Sequence, residues 1–316
     1  MKKIIILIII IASALTLFSQ RRVKEPVKPK LYNHFLSLSY QAGSASGFYD
    51  LSGGFITTLW DSTSFYDTVN KEFIKREYIF ELQKTTFELA FGYSILENIN
   101  LKANLPISWY NLSEKYLTKF VYDSLGRPIG SLSNAARESK SMNKIDYLSI
   151  GGEYIDSSGS LIYGGSASFQ IPFGGQTGQL DSSITFLSDG AFASIFELFA
   201  GYELGKFKFD LSTKYHLRTE DFKNQVQATF VLSYESVEYT YIRGFVDVVR
   251  STESYSNTKL LTYSKDVVQE DYIALGFGSR LLLGSDYFAE FDYIIRTSGK
   301  NCLNYNNFKI SVGYAF

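Results

Sequence analysis

A row of ionic side chains runs through residues 206–218, where polar and apolar residues alternate. In a β-strand alternate side chains share one face, so the polar set would form a ladder on one surface and the apolar set would cover the other. The polar set is Lys206, Lys208, Asp210, Ser212, Lys214, His216 and Arg218. Lys208, Lys214, His216 and Arg218 are the best candidates for contacting an anion, and we expect several of them to pair with acids on neighbouring strands.

The same row holds the residue types of a hydrolytic triad, but at the wrong spacing. His34 and His216 are the only histidines, and a triad needs the imidazole within hydrogen-bond reach of both partners. Same-face neighbours in a strand are already about 6.6 Å apart, so Asp210 and Ser212 lie beyond a direct bond to His216. We predict no enzymatic activity, because catalysis would need a Ser or Asp from elsewhere to converge on His216.

Other chemistries lack their motifs. The sequence has no Cys or His cluster at metal-ligand spacing, no EF-hand and no Walker sequence, so no cofactor is predicted. Its 31 basic and 32 acidic residues are nearly balanced, which gives no reason to expect nucleic acid. The single cysteine, Cys302, excludes an internal disulfide. The glycine pairs 151–152 and 164–165 fall within alternating stretches, where they would relieve crowding rather than bind phosphate.

The N-terminus is typical of an export signal. Met1-Lys2-Lys3 precedes an apolar run from Ile4 to about Phe18 and a small Ser19. That run is shorter than the roughly 20 residues of a membrane-spanning helix. We predict a signal peptide at 1–19, a periplasmic segment at 20–33 and one β-barrel domain at 34–316. No cysteine lies near the predicted cleavage site, so the sequence does not support a lipoprotein.

Alternation recurs throughout the rest of the chain and predicts about twelve strands. They lie near residues 34–43, 84–95, 99–109, 144–155, 161–173, 191–203, 206–218, 225–235, 238–250, 270–283, 287–297 and 306–316. The ninth is the least regular, because Tyr241, Arg243, Phe245 and Asp247 mix residue classes on one face; without it the count would be ten.

A soluble antiparallel sandwich alternates in the same way. Three features instead favour an all-β, transmembrane up-and-down antiparallel β-barrel with both termini in the periplasm. The connections after every second strand are short, those elsewhere are mostly longer, and the strands are about 10–13 residues long. The segments 44–84 and 112–143, which lie between predicted strands, are longer than ordinary loops. We expect strands that project above the membrane in the first, and a surface loop or an inward constriction in the second.

Two segments resemble known proteins. At the C-terminus Phe308, Ile310, Val312, Tyr314 and Phe316 alternate with polar or small residues. This resembles the terminal strand of bacterial outer-membrane proteins, which implies that Tyr314 and Phe316 form a signal for the barrel-assembly machinery. Residues 91–106, a glycine-aromatic strand, an acidic turn and a strand ending in Leu105-Pro106, resemble a hairpin of the phenol degradation meta-pathway outer-membrane family.

Charged residues on the polar faces cannot point into lipid, where Arg or Lys at mid-depth costs roughly 2–4 kcal/mol. We therefore predict that they line the lumen. The candidates are Lys102, Glu197, Lys208, Asp210, Lys214, His216, Arg218, Arg280, Glu290, Asp292 and Arg296. Such a lining suits a water-filled channel, but it equally suits an internal salt-bridge plug, because twelve strands lie between packed small barrels and open porins.

These patterns predict a channel or passive transporter for an unknown small solute in the outer membrane of a Gram-negative bacterium. Its partners would be outer-membrane lipid and the barrel-assembly machinery. The alternative is a closed structural or adhesive surface barrel that acts through its long external loops.

Overall fold

The computed structural model describes residues 34–49, 52–57, 59–60, 65–67, 72–123, 125, 127–132, 137–173, 192–219, 224–252, 271–284, 286–300 and 302–315. The predicted signal peptide, the segment 20–33 and Phe316 lie outside these residues. Within them every regular element is a β-strand, which agrees with the absence of a helical period in the sequence.

The described strands follow one another in a single antiparallel sheet. They are β1 His34–Tyr49, β2 Phe55–Ile56, β3 Leu59–Trp60, β4 Phe65–Asp67, β5 Glu72–Leu96, β6 Ile99–Tyr122, β7 Pro128–Leu132, β8 Arg137–Ile145, β9 Tyr147–Ser158, β10 Leu161–Pro172, β11 Ala193–Leu204, β12 Phe207–Arg218, β13 Gln225–Val237, β14 Thr240–Ser251, β15 Asp271–Leu283, β16 Tyr287–Lys300 and β17 Cys302–Ala315.

The sheet closes on itself at β1. Phe35 of β1 lies opposite Ala315 of β17 on one side and opposite Gly92 of β5 on the other. Strands β8 and β9 pair with successive parts of β6. Together they count as one strand of the barrel, which is interrupted at Asp146. The result is a twelve-stranded antiparallel β-barrel, which confirms the predicted fold class and the ninth strand.

The two predicted excursions are mostly paired strand rather than loop. Strands β5 and β6 are 25 and 24 residues long and pair from Leu96 opposite Ile99 to Phe73 opposite Tyr122. Only Leu82–Tyr93 of β5 pairs with β1, so the rest of the hairpin extends past that edge and is flanked by β3, β4, β7 and β8. Strands in the first excursion were predicted. The second differs from the predicted loop because pairing satisfies backbone groups that a loop would leave unpaired.

The connections after β5, β9, β11, β13 and β15 are short and lie at one end of the barrel. Gly205, in the β11–β12 turn, has φ +59°, a left-handed conformation that glycine adopts without steric cost. The equivalent turn between β13 and β14 places Tyr239 at φ 65°, where its backbone N–H donates to Glu235 Oε1 at 3.1 Å. These turns fix the register of the hairpins on either side.

Large apolar side chains cover the outer face of the barrel. Phe207, Leu211, Tyr215 and Leu217 of β12 are all exposed, as the alternation of residues 206–218 predicts. The outer rings also contact one another across strands, for example Phe207 with Tyr234 at 5.0 Å between ring centroids. An outer surface this apolar is unfavourable in water and suits hydrocarbon.

Candidate functional site

Contacts that skip a strand identify the inner face of the barrel. Arg243 of β14 reaches Asp292 of β16 across β15, and Lys309 of β17 reaches Glu88 of β5 across β1. Side chains two strands apart converge on the concave side of a curved sheet. By pairing register the eleven sequence-predicted positions share this face, opposite the exposed apolar side chains.

The ionic row of β12 pairs with acids, as its sequence predicts. Lys208 Nζ lies 3.5 Å from Asp210 Oδ1 on the same strand. Lys214 Nζ lies 3.5 Å from Glu197 Oε1 on β11, and Ser166 Oγ of β10 donates to the other oxygen of Glu197 at 3.3 Å. The row therefore forms two ion pairs, of which the second is extended to β10 by a hydrogen bond from Ser166.

His216 lies further along the same row, without a triad around it. It is opposite Ile195 on β11 and Gln225 on β13, and its Nε2 is buried with no hydrogen-bond partner among the described residues. The nearby carboxylate oxygen Asp247 Oδ1 instead accepts from Gln227 Nε2 at 2.9 Å and Thr229 Oγ1 at 2.8 Å. The arrangement gives no support for nucleophilic catalysis.

Arg218 ends the row close to the long connections. Its backbone N–H donates to Asn224 Oδ1 at 3.0 Å, which ties β12 to the residue just before β13. Its inner neighbour on β11 is Ala193, a small buried residue. Lys208, Lys214, His216 and Arg218 thus follow one strand along the interior, as the ladder predicted for an anion would.

A second group joins β6 to β9 near the short turns. Lys102 forms an ion pair with Glu153, and Asn100 Nδ2 donates to the second oxygen of Glu153 at 3.4 Å. Ser94 of β5 in turn hydrogen-bonds Asn100. The carboxylate is held by the wall, while the Lys102 side chain remains 42% exposed.

A largely buried group surrounds Arg243. Arg243 Nε donates to Asp292 Oδ1 at 2.8 Å, and its Nη2 contacts Asp292 Oδ2 at 2.5 Å and Glu290 Oε2 at 3.1 Å. Arg280 Nε approaches Glu290 Oε1 at 3.3 Å. Gly278 lies between Arg243 and Asp292 on the intervening strand, and a Cβ there would come within 2.2 Å of Asp292 Oδ1. Glycine therefore permits the arginine to cross the strand.

Arg296 packs against rings. Its guanidinium carbon lies 4.1 Å from the centroid of Tyr272 and 5.8 Å from that of Tyr305, and Nη1 donates to the Leu303 carbonyl at 2.9 Å. The Tyr272 hydroxyl donates to Asp247 Oδ2 at 3.3 Å. This is a cation–π arrangement and continues the charged lining to β15 and β17.

Sequence reasoning missed two of the central residues. Arg243 was on the strand interpreted as irregular, although Ile242 and Gly244 on either side already indicated the opposite face. Asp146 interrupts β8 and β9 and accepts from Ser108 Oγ at 2.5 Å and the Tyr110 hydroxyl at 2.8 Å, with Lys84 Nζ at 3.5 Å. Nothing in the alternation could have identified Asp146, because it lies where alternation breaks.

The glycine pairs act as the sequence predicts. A Cβ at Gly151 would approach the Ala167 carbonyl oxygen to 2.3 Å, and one at Gly164 would approach the Tyr154 carbonyl oxygen to 2.2 Å. On the outer face Gly152 and Gly165 help to form an open groove of about 690 Å³. They serve strand contact and curvature, and neither begins a helix.

The described residues contain neither a helix that could cross a membrane nor a cluster of metal-ligating side chains. No helix in that part of the chain is long and apolar enough to cross a membrane. The same residues contain no group of three or more His, Cys, Asp or Glu side chains placed to hold a metal ion.

The chain resembles solved structures in fold. No protein-family model and no curated protein matches it. The COG4313 outer membrane channel from Pseudomonas putida F1 superposes with a TM-score of 0.57 at 11% identity, covering 92% of this chain and 99% of that one.

Two further barrels superpose less closely. The TodX deltaS2S3 mutant monoaromatic hydrocarbon channel has a TM-score of 0.45 at 8% identity, covering 93% of each chain. The translocator domain of the autotransporter NalP from Neisseria meningitidis has a TM-score of 0.42 at 11% identity, covering 96% of this chain and 97% of that one. At these identities the likeness is one of fold.

Proposed function

We propose that this protein is an outer-membrane channel or passive transporter for small solutes in a Gram-negative bacterium. The observation that carries the proposal is the contrast between its two surfaces. The outer face is apolar and exposed, whereas the inner face holds charged side chains that keep substantial solvent exposure, such as Lys102 and Lys214. A closed barrel with an apolar exterior and a solvent-accessible charged interior is suited to moving polar solutes across a bilayer.

The fold comparison supports this proposal. The P. putida F1 protein, which covers 92% of the chain, is an outer membrane channel. The β5–β6 hairpin, whose residues 91–106 resemble the phenol degradation meta-pathway family, lies within the barrel wall. We carry over the general role of a channel, without a specific solute.

The proposed topology places both termini in the periplasm. The short turns and the start of β1 lie at one end of the barrel, next to Ala315, which is the arrangement of bacterial outer-membrane barrels. Residues 1–19 would be removed as a signal peptide, and 20–33 would remain as a periplasmic segment. Tyr314, whose ring contacts that of Tyr287 with centroids 4.6 Å apart, and Phe316 would be recognised by the barrel-assembly machinery.

The lumen lining would consist of the predicted residues together with Lys84, Asp146 and Arg243. We propose a non-enzymatic role, because the His216 environment offers an amide and a carboxylate already bonded to other donors. Solutes would pass without chemical change, and outer-membrane lipid would surround the apolar face.

A second candidate function is a closed structural or adhesive surface barrel. The Arg243, Glu290 and Asp292 group favours it, because these side chains are only 11–18% exposed and cross the interior of the wall. The long β5–β6 hairpin would then be the contact region. In this case the interior charges would act only as a plug.

One experiment separates the two functions. The mature chain, residues 20–316, is refolded into detergent, its closed barrel is verified by a heat-modifiable gel shift, and its conductance is recorded in planar bilayers. Steady single-channel conductance supports the channel. If neither the parent protein nor an Arg243→Met variant conducts, although both are folded, the surface barrel would be favoured.

A further inference from the structure

The charges on the inner wall are unequally exposed to the interior. In three ion pairs the lysine is far more accessible than its carboxylate partner. The side-chain exposures are 31% against 7% for Lys84 and Asp146, 42% against 11% for Lys102 and Glu153, and 35% against 22% for Lys214 and Glu197. Water in the interior therefore contacts these lysine side chains more than it contacts the carboxylate side chains that balance them.

Neutral donors in the wall explain this asymmetry. Asp146 accepts from Ser108 and Tyr110, Glu153 accepts from Asn100, and Glu197 accepts from Ser166. Each carboxylate is held against the strands by a hydroxyl or amide that cannot move away. Each lysine reaches its acid on a flexible four-carbon stem, and Lys84 Nζ also lies 5.0 Å from the centroid of the Tyr110 ring.

The accessible lysines are distributed along the barrel rather than gathered at one mouth. Lys214 is nine residues from Gly205 of the β11–β12 turn, or roughly 30 Å along the strand, whereas Lys102 is four residues from Asn98 of the β5–β6 turn, or roughly 13 Å. Lys102 and Lys84 lie on other strands, at different distances from the β5–β6 turn. A solute crossing the interior would meet ammonium groups at successive depths.

Two pairs set the limits of the pattern. Asp210 is 38% exposed against 29% for Lys208, and Glu290 is about as exposed as Arg243, at 18% against 16%. The first lies near the short turns and the second is largely buried. Neither pair changes the pattern on the rest of the inner face. There the side chains of Lys102, Lys214 and Lys309 are more exposed than those of their partners Glu153, Glu197 and Glu88.

We infer that the lumen prefers small anions, such as chloride and short monocarboxylates, over cations of similar size. This inference rests on the proposed channel function and deepens it. The Coulomb energy between two charges falls with distance, so a passing ion interacts most strongly with the charge nearest to it. Here that charge is an ammonium group for most of the path, and a carboxylate fixed in the wall is the more distant partner.

The test is a reversal-potential measurement in planar bilayers under a tenfold KCl gradient, repeated with potassium acetate. We expect the reversal potential to have the sign of anion preference. The preference should weaken between 0.1 M and 1 M salt, because the screening length falls from about 10 Å to about 3 Å. A cation-preferring or unselective channel would overturn the inference while leaving the channel function intact.

Variants make the test specific to the accessible lysines. Lys102→Gln and Lys214→Gln should each lower the anion-to-cation permeability ratio by up to about thirtyfold, because one charge about 4 Å from an ion in water changes the anion and the cation about fivefold each, in opposite directions. Lys206→Gln, which removes a charge from the exposed short turn, is the matched control and should leave the ratio unchanged.

The two failures can be told apart. Equal ratios in Lys102→Gln, Lys214→Gln and the parent channel would refute the inference, provided that the gel shift shows all of them folded. A folded barrel that never conducts would refute the channel function, and the anion preference with it.

Discussion

Removing Arg243 should cause a large loss of stability. The guanidinium group serves two carboxylates, Asp292 and Glu290, and no other donor to either Asp292 oxygen occurs among the described residues. In Arg243→Met both acids would remain on one face of β16, two positions apart, with Asp292 uncompensated and Glu290 still in contact with Arg280.

The magnitude follows from the burial of the three side chains. Breaking a fully buried ion pair costs about 3–5 kcal/mol, because the remaining charge stays desolvated. Here the side chains keep 11–18% exposure, and Arg280 still contacts Glu290 at 3.3 Å. We therefore expect the free energy of unfolding to fall by about 2–4 kcal/mol, below the full buried-pair value.

The assay is equilibrium unfolding in urea of the barrel refolded into lipid vesicles, followed by tryptophan fluorescence. The control is the triple variant Arg243→Met with Glu290→Gln and Asp292→Asn, which removes the uncompensated charges and should recover most of the lost stability. A loss of under about 0.5 kcal/mol in Arg243→Met, the range of ordinary surface substitutions, would contradict the reasoning. So would a triple variant no more stable than the single one.

Three further predictions use the same unfolding assay. Gly205→Ala should cost about 1 kcal/mol, because a side chain at φ +59° is strained even in open space, whereas Gly244→Ala, in a strand with no such strain, should be neutral or slightly stabilising. Tyr110→Phe should cost about 1–3 kcal/mol, since the buried carboxylate it contacts at 2.8 Å loses a donor. Leu198→Arg, mid-strand on the outer face, should cost about 2–4 kcal/mol in vesicles, but Val237→Arg, beside a short turn, at most about 1 kcal/mol. Equal costs for the two arginines would argue against a membrane around this face.

The sequence was sufficient to predict the wall because alternation is a local property. Each strand from β9 to β17 was located within a few residues. A strand with one apolar and one polar face gives the sequence a hydrophobic period of two residues. The same logic placed Lys208, Lys214 and Arg218 on one face before any partner was known. Barrel closure followed from the even count and the short turns.

The contacts inside the barrel could not be predicted in the same way. The pairing of Arg243 with Asp292 depends on the stagger of β14 against β16 and on Gly278 between them, neither of which appears in the sequence of one strand. Asp146 was missed because it breaks the alternation that served as the signal. The β5–β6 extension was underestimated because its residues alternate only in part.

The interior charges fall into two classes that respond differently to the same substitution. Where wall donors hold the carboxylate, as Ser108 and Tyr110 hold Asp146, the lysine above it can be replaced at little cost in stability and a larger cost in selectivity. Where the cation is the main donor, as at Arg243, the carboxylates depend on it and stability suffers first. Lys84→Gln and Arg243→Met should therefore differ by about 2 kcal/mol or more in unfolding free energy, although each removes one charge from an ion pair. If both cost the same, the wall donors would not be what holds the acids, and the argument for an accessible cationic lining would lose its physical basis.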